Sequence, residues 1–171
     1  MAGAVEAPEV IDRRAVALHD RQAYHAAGGL PLDRAEKLIS DAVKVAHRRA
    51  KDAVGNIVKV AARVGTEVGA GAVLMSAYQG PSTLAATLRS HPACHAAEGQ
   101  MTRDAFIAAC DALGLEVVTA LEREIDDVAA AALGLGPATL AARVKEMGVA
   151  VGSPWRKPEK QAAMAAWLAL V

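Results

Sequence analysis

Four side chains of metal-ligand type stand close together in the middle of the sequence. His91, Cys94 and His95 lie within five residues, and Cys110 follows further along the chain. A tetrahedral zinc site needs about four such ligands on one ion, which makes these four residues a candidate set. Cys110, however, falls on an apolar helical face, where a buried thiol is the usual state. We therefore predict no metal site and no cofactor.

Residues for covalent or acid–base catalysis form no recognisable pattern. The sequence contains neither a nucleophile elbow nor a phosphate-binding loop. His19, His25 and His47 are scattered among predicted helices, where solvated or capping histidines are expected. We predict that the protein is not an enzyme.

A sharp break interrupts the small-residue segment AAAALGLGPATLAARVKEMGV, residues 129–149. A first helix is predicted at 128–133. Gly134 suits the left-handed turn position, because it has no Cβ to clash there. Gly136 suits the N-cap of a second helix, and Pro137 suits its first turn, where no N–H is needed. The pattern therefore predicts two short helices joined by a tight turn.

The second helix has the spacing of an amphipathic element. Leu140, Val144 and Met147 follow one another at i, i+4 and i+7, which predicts an inward face, and Gly148 is predicted to end the helix. The polar residues expected on the remaining surface of this helix are Thr139, Arg143 and Lys145.

This segment resembles the DNA-binding end of the Fis family, which NtrC-type activators share. The resemblance covers about 21 of the 171 residues and rests on Ala130-Ala131, Leu133-Gly134-Leu135, Ala138-Thr139-Leu140 and Arg143–Val149. It implies a helix-turn-helix that contacts double-stranded DNA. It also implies a homodimer that places two recognition helices about one DNA turn apart.

The segment departs from the family pattern at positions that would face the groove. Gly136 replaces the usual Ser, and Pro137 occupies a position that is often basic. Ala141 and Ala142 stand where the family often has an aromatic residue and an arginine. These departures predict that phosphate and shape readout exceed base readout. The predicted DNA-binding residues are Thr139, Arg143 and Lys145, extended after the next turn by Arg156, Lys157 and Lys160.

The charge is balanced overall but unevenly distributed. The chain has 19 Lys and Arg against 19 Asp and Glu. Residues 33–64 hold eight bases and four acids, residues 98–127 hold two bases and eight acids, and residues 143–160 hold five bases and two acids. The basic segments permit a local nucleic-acid face, and they equally permit pairing with the acidic segment.

The composition favours helices. Hydrophobic residues make up 53% of the chain, many of them Ala, whereas aromatic residues make up 3%. We predict an all-α fold, a helical bundle with one long helix and a C-terminal helix-turn-helix. The long helix should begin after an N-cap at Asp33 and end near Gly65 or at Tyr78. Its apolar stripe, from Ile39 to Ala72, would pack within the chain or against a second copy.

Shorter elements complete the predicted order. Helices are expected at 11–27, 83–89 (capped by Ser82), 103–113 (capped by Thr102), 115–127 and 159–171, with connectors at 90–100 and 153–158.

Three regions follow from this order: a disordered tail at 1–10, a helical dimerisation or interaction region at 11–100, and a helix-turn-helix-containing region at 101–171.

The N-terminus lacks the basic start and apolar core of a signal peptide. The apolar stretch 68–77 is too short and Gly-rich to span a bilayer. We predict a cytoplasmic DNA-binding protein, a transcriptional regulator that makes no membrane contact. The alternative is a helical protein–protein interaction module that binds no nucleic acid.

Overall fold

The computed structural model describes residues 8–171, so most of the predicted tail at 1–10 lies outside the described residues. The described chain forms two compact units. The sheet unit comprises residues 8–15, 69–77 and 116–171, and the helical unit comprises residues 16–68 and 78–115. Seven α-helices and two β-strands are found in the described residues.

The helical unit contains α1 (Ala23–Ala27), α2 (Leu32–Arg63), α3 (Leu84–Leu88) and α4 (His91–Asp111). The long helix predicted from the apolar stripe is present as α2 and ends at Arg63, close to the first of its two predicted ends. The predicted extension to Tyr78 is wrong, because Ala70–Met75 forms a β-strand. The buried residues of α2 are those of the first half of the stripe and its neighbours: Ala35, Ile39, Ala46, Ala50 and Val54. Ala35 and Ile39 share a core cluster with Met101 of α4, the helix on which α2 mainly packs. Gly65 follows the C-cap of α2 and has φ of 74°, a left-handed conformation that commonly ends a helix.

The start of α4 corrects the sequence prediction. Residues 90–100, predicted as a connector, are helical, and Thr102 lies inside the helix rather than at its cap. Ser90 is the N-cap, and its hydroxyl accepts a hydrogen bond from the Ala93 N–H at 3.4 Å. Pro92 fits the first turn, which requires no N–H. The result is one helix of 21 residues where two segments were expected.

The sheet unit shows that the all-α prediction was wrong in part. The protein is mostly helical, but β1 (Ala70–Met75) and β2 (Glu116–Leu121) form a two-stranded parallel sheet. The register runs from Ala70 opposite Glu116 to Met75 opposite Leu121. In place of the helix predicted at 115–127, residues 116–121 form β2, residues 122–124 form a turn, and helix begins only at Ile125. The consecutive β-branched residues of β2, Val117, Val118 and Thr119, favour extended backbone.

Three helices complete the sheet unit: α5 (Ile125–Leu133), α6 (Pro137–Val151) and α7 (Lys157–Leu168). The last of these packs on both α5 and β1. Trp167 and Ile125 are the largest side chains that are almost completely buried there. The remaining core residues are Ala129, Leu133, Leu140, Val144, Met147, Met164 and Ala165.

Several predicted boundaries move. The helix predicted at 11–27 is limited to Ala23–Ala27, and the N-cap of α2 is Pro31 rather than Asp33. Thr83, not Ser82, caps α3. The last helix starts two residues earlier than predicted and ends at Leu168.

Among the described residues, no single helix has the length and apolarity needed to cross a membrane. Within residues 8–171, α5 and α6 taken together have that length and apolarity, but the pair is bent by 100°.

Gly148 does not end α6, as the sequence suggested, but lies inside the helix, where it is buried. The helix continues to Val151, and Gly152 follows it. The Trp155 ring rests directly on Gly148, and its indole Nε1 donates a hydrogen bond to the Val144 carbonyl at 3.0 Å. A Cβ at position 148 would fall inside the van der Waals contact distance of Cδ1 and Cγ of Trp155. Glycine is therefore required for this indole to pack on α6.

We predict that Gly148→Ala destabilises the protein by about 1–3 kcal/mol, because the added methyl group must displace the indole or shift the helix. Urea unfolding monitored by tryptophan fluorescence measures the change. Gly69→Ala is the matched control, because its Cβ would meet open space and should change stability by no more than about 0.5 kcal/mol. Equal stability of the two variants would show that Trp155 does not pack as described.

Candidate functional site

The corner between α5 and α6 follows the local geometry predicted from its glycines and proline. Gly134 has φ of 63° in the left-handed region, and Gly136 is the extended N-cap, with φ of −67° and ψ of 151°. Pro137 is the first residue of α6. A three-residue turn, Gly134–Gly136, thus joins two helices that are bent by 100° relative to each other.

The two faces of α6 also match the prediction. Leu140, Val144 and Met147 are buried in the core of the sheet unit. The predicted contact residues Thr139, Arg143 and Lys145 are all exposed.

The exposed contact residues do not share one ridge of α6. Thr139 and Arg143 are four residues apart and lie on the same side of the helix. Lys145 follows Arg143 by two residues, which places it about 200° further round the helix axis. Thr139 and Arg143 therefore form one surface, and Lys145 flanks it from the other side.

Arg143 is paired within its own helix rather than with the acidic segment before α5. Its Nη1 lies 3.4 Å from Glu146 Oε2, and the two side chains are 44% and 65% exposed. An ion pair with this much exposure contributes little to stability, because water screens both charges. The guanidinium is accordingly available to exchange Glu146 for another anion.

The basic residues of α7 lie at its start and are exposed: Arg156, Lys157 and Lys160. The Arg156 N–H donates a hydrogen bond to Glu159 Oε2 at 2.9 Å, which caps the helix. Backbone hydrogen bonds hold the pKa of Glu159 below its ordinary value. Lys160 lines a depression together with Asp126 and Asp127, so this end of the surface carries both signs of charge.

A second constellation occurs in the helical unit, where three imidazoles converge. His91 and His95 lie one turn apart on α4, and His25 reaches them from α1. The His91 and His95 rings have centroids 4.4 Å apart, and their Nε2 atoms are 3.0 Å apart. The His25 ring centroid lies 5.0 Å from that of His91 and 4.4 Å from that of His95. One potential ligand atom from each of the three residues lies within 4.8 Å of the others.

Glu98 lies beside this histidine cluster, one turn after His95 on α4, and is only 7% exposed. Its Oε1 accepts a hydrogen bond from the Tyr24 N–H at 2.7 Å and lies 3.7 Å from His25 Nδ1. Its Oε2 has no hydrogen-bond partner among the described residues, and neither do the two buried ring nitrogens of His25. Burial, followed by the Glu98 carboxylate, raises the pKa of Tyr24.

The candidate ligand set taken from the sequence is assembled differently in the structure. His91 and His95 do come together, but their third neighbour is His25 rather than a cysteine. The buried Cys94 thiol donates a hydrogen bond to the Thr87 carbonyl at 3.3 Å. Cys110 is buried as predicted, and burial raises its pKa.

Sequence reasoning missed His25 and Glu98. The spacing of His91, His95 and Glu98 (i, i+4, i+7) was a visible signal, because such residues share one helical face. Because residues 90–100 were predicted as a connector, no helical face was assigned to these three side chains. The approach of His25 from α1 depends on tertiary packing and has no local signal.

No family model, curated protein or solved structure matches the chain. The resemblance of residues 129–149 to the Fis family accordingly stays a prediction.

We predict that Cys94 and Cys110 are both protected from a thiol reagent in the native protein, because both are buried. Reaction with Ellman's reagent at mildly alkaline pH should release little chromophore before denaturant is added and two equivalents afterwards. Rapid reaction of either thiol in the native state would contradict the placement of α4.

Proposed function

We propose that the protein binds double-stranded DNA through α6, as a transcriptional regulator with a helix-turn-helix formed by α5 and α6. The observation that carries the proposal is the geometry of the corner. A helix-turn-helix joins two helices at about 90–120° through a turn of about three or four residues that often contains glycine. The α5–α6 corner has a bend of 100° and the turn Gly134–Gly136.

The exposed side of α6 supports contacts mainly to phosphates. Thr139 and Arg143 stand on one surface near the N-terminal half of the helix, the part that enters the major groove in helix-turn-helix proteins. Arg143 would exchange its exposed partner Glu146 for a phosphate oxygen. Lys145, on the flank, would reach the sugar–phosphate backbone beside the groove.

The proposal includes little direct base readout. Ala138, Ala141 and Ala142 are exposed on α6 and offer methyl groups but no hydrogen bonds. Glu146 and the acidic pair Asp126 and Asp127 would repel phosphates near the same surface. We therefore expect modest, strongly salt-dependent binding with weak sequence preference.

A homodimer belongs to this proposal, because one short recognition helix gives limited affinity and two half-sites add their contacts. The candidate seam is the C-terminal end of α2, where Ile57, Val60 and the C-cap residue Val64 are exposed at helical spacing. Sedimentation velocity over a range of protein concentrations would measure the oligomeric state directly.

The alternative is a helical protein–protein interaction module in which the α5–α6 corner serves only to build the core. The burial of Leu140, Val144 and Met147 is common to both proposals. They differ in the role of the exposed bases, and DNA binding is the property that separates them.

We predict that the wild-type protein binds a fluorescent random-sequence duplex at low salt, as measured by anisotropy. Arg143→Ala/Lys145→Ala should bind more weakly and with a salt slope that is shallower by about 2, since about one unit is lost per phosphate contact. The matched control is Lys37→Ala/Lys44→Ala, which removes the same charge from exposed positions on α2.

Two results would contradict this proposal. Absence of binding by the wild type at low salt would exclude α6 as a DNA reader, since electrostatic attraction is strongest there. Equal losses in the α6 variant and the α2 control would indicate a diffuse charge effect rather than a binding surface.

A further inference from the structure

We propose that His25, His91 and His95 form a binding site for a divalent transition-metal ion of the zinc, copper and nickel group, for which Zn²⁺ is the test ion. The proposal is independent of DNA binding. Neutral imidazole is a preferred ligand of zinc, copper and nickel, whereas Mg²⁺ and Ca²⁺ prefer oxygen ligands. Three histidines from two helices therefore favour zinc, copper or nickel over Mg²⁺ and Ca²⁺.

The spacing of the ring nitrogens fits one shared ion. Two nitrogens that bind one tetrahedral zinc at about 2.0–2.1 Å lie about 3.4 Å from each other. The His91 and His95 Nε2 atoms are 3.0 Å apart, and ligand atoms from all three rings lie within 4.8 Å. Small rotations about the side-chain dihedrals of His91 and His95, both exposed, would bring the three nitrogens to coordination distance.

The buried polar atoms of the cluster point independently to a ligand. Both ring nitrogens of His25 are buried and have no hydrogen-bond partner among the described residues. A buried polar atom without a partner costs free energy, and native proteins rarely retain one without a reason. A metal ion on one His25 nitrogen would satisfy that atom.

Glu98 is the positioning residue for this site. Its Oε1 is fixed by the Tyr24 N–H and lies 3.7 Å from His25 Nδ1. A carboxylate on one imidazole nitrogen sets the tautomer that leaves the other nitrogen free for the metal. We therefore assign His25 Nε2 to the metal and Nδ1–H to Glu98, with a hydrogen bond that shortens on binding.

The buried Glu98 carboxylate also favours a positively charged ligand. Glu98 lies more than nine-tenths buried beside His25, and its Oε2 has no hydrogen-bond partner in the described part of the chain. A negative charge at this place favours a cation and repels phosphate or another anion. With three protein ligands and two exposed histidines, water would complete the coordination of the ion.

The test is isothermal titration of Zn²⁺ into the full chain after treatment with a chelator, together with the absorption spectrum of the Co²⁺ form. We expect one ion per chain, and Co²⁺ bands of the intensity typical of a tetrahedral site. His91→Ala and His95→Ala, at exposed positions that the fold does not require, should each weaken Zn²⁺ binding at least tenfold. His47→Ala, an exposed histidine outside the cluster, should bind like the wild type.

Glu98→Gln distinguishes positioning from simple ligand loss. The amide oxygen can still accept the Tyr24 N–H, but it lacks the charge that holds His25. We expect about a 10–100-fold loss of Zn²⁺ affinity, with unchanged stoichiometry and a native circular dichroism spectrum. Affinity equal to that of the wild type would overturn the role of Glu98.

Other outcomes would overturn the site itself. One such outcome is the absence of saturable Zn²⁺ binding by the wild type. Another is full Zn²⁺ affinity in His91→Ala and His95→Ala when both variants remain folded. A six-coordinate Co²⁺ spectrum that is the same in the wild type and both variants would show adventitious surface binding only.

Discussion

The protein depends on close approach between helices that have little side-chain volume to bury. With two tryptophans and one phenylalanine in 171 residues, a core can form only where small residues let backbones come near one another. In the helical unit, alanines of α2 are buried, and α2 packs mainly on α4. In the sheet unit, Gly148 lets the Trp155 indole rest on α6. These contacts hold α4 and α6, the two helices that carry most residues of the candidate sites.

Each unit carries one candidate site, and in each the polar groups occur where a helix is held firmly by its apolar side. In the sheet unit, the buried face of α6 leaves Thr139 and Arg143 toward solvent. In the helical unit, α4 packs on α2 while His91 and His95 remain exposed on another side. The core thus fixes the positions of these helices and of the polar side chains that they carry.

The sequence was most informative where structure is local. The α2 stripe repeats over many turns, and Gly134, Gly136 and Pro137 each impose a backbone conformation by their own covalent structure. The strands were missed because parallel pairing joins Ala70 to Glu116 across a long insertion, which no short window displays. The convergence of His25 with the histidines of α4 was missed for the same reason, since it is a contact between distant segments.

The proposal that α6 binds DNA can be tested at the level of single residues. The most direct measurement is the change in backbone amide chemical shifts of the ¹⁵N-labelled protein when a short duplex is added at low salt. If α6 binds DNA, the largest changes occur in the N-terminal half of α6 and at the start of α7, around Thr139, Arg143 and Lys157. Changes confined to other elements, or no changes at all, would contradict it.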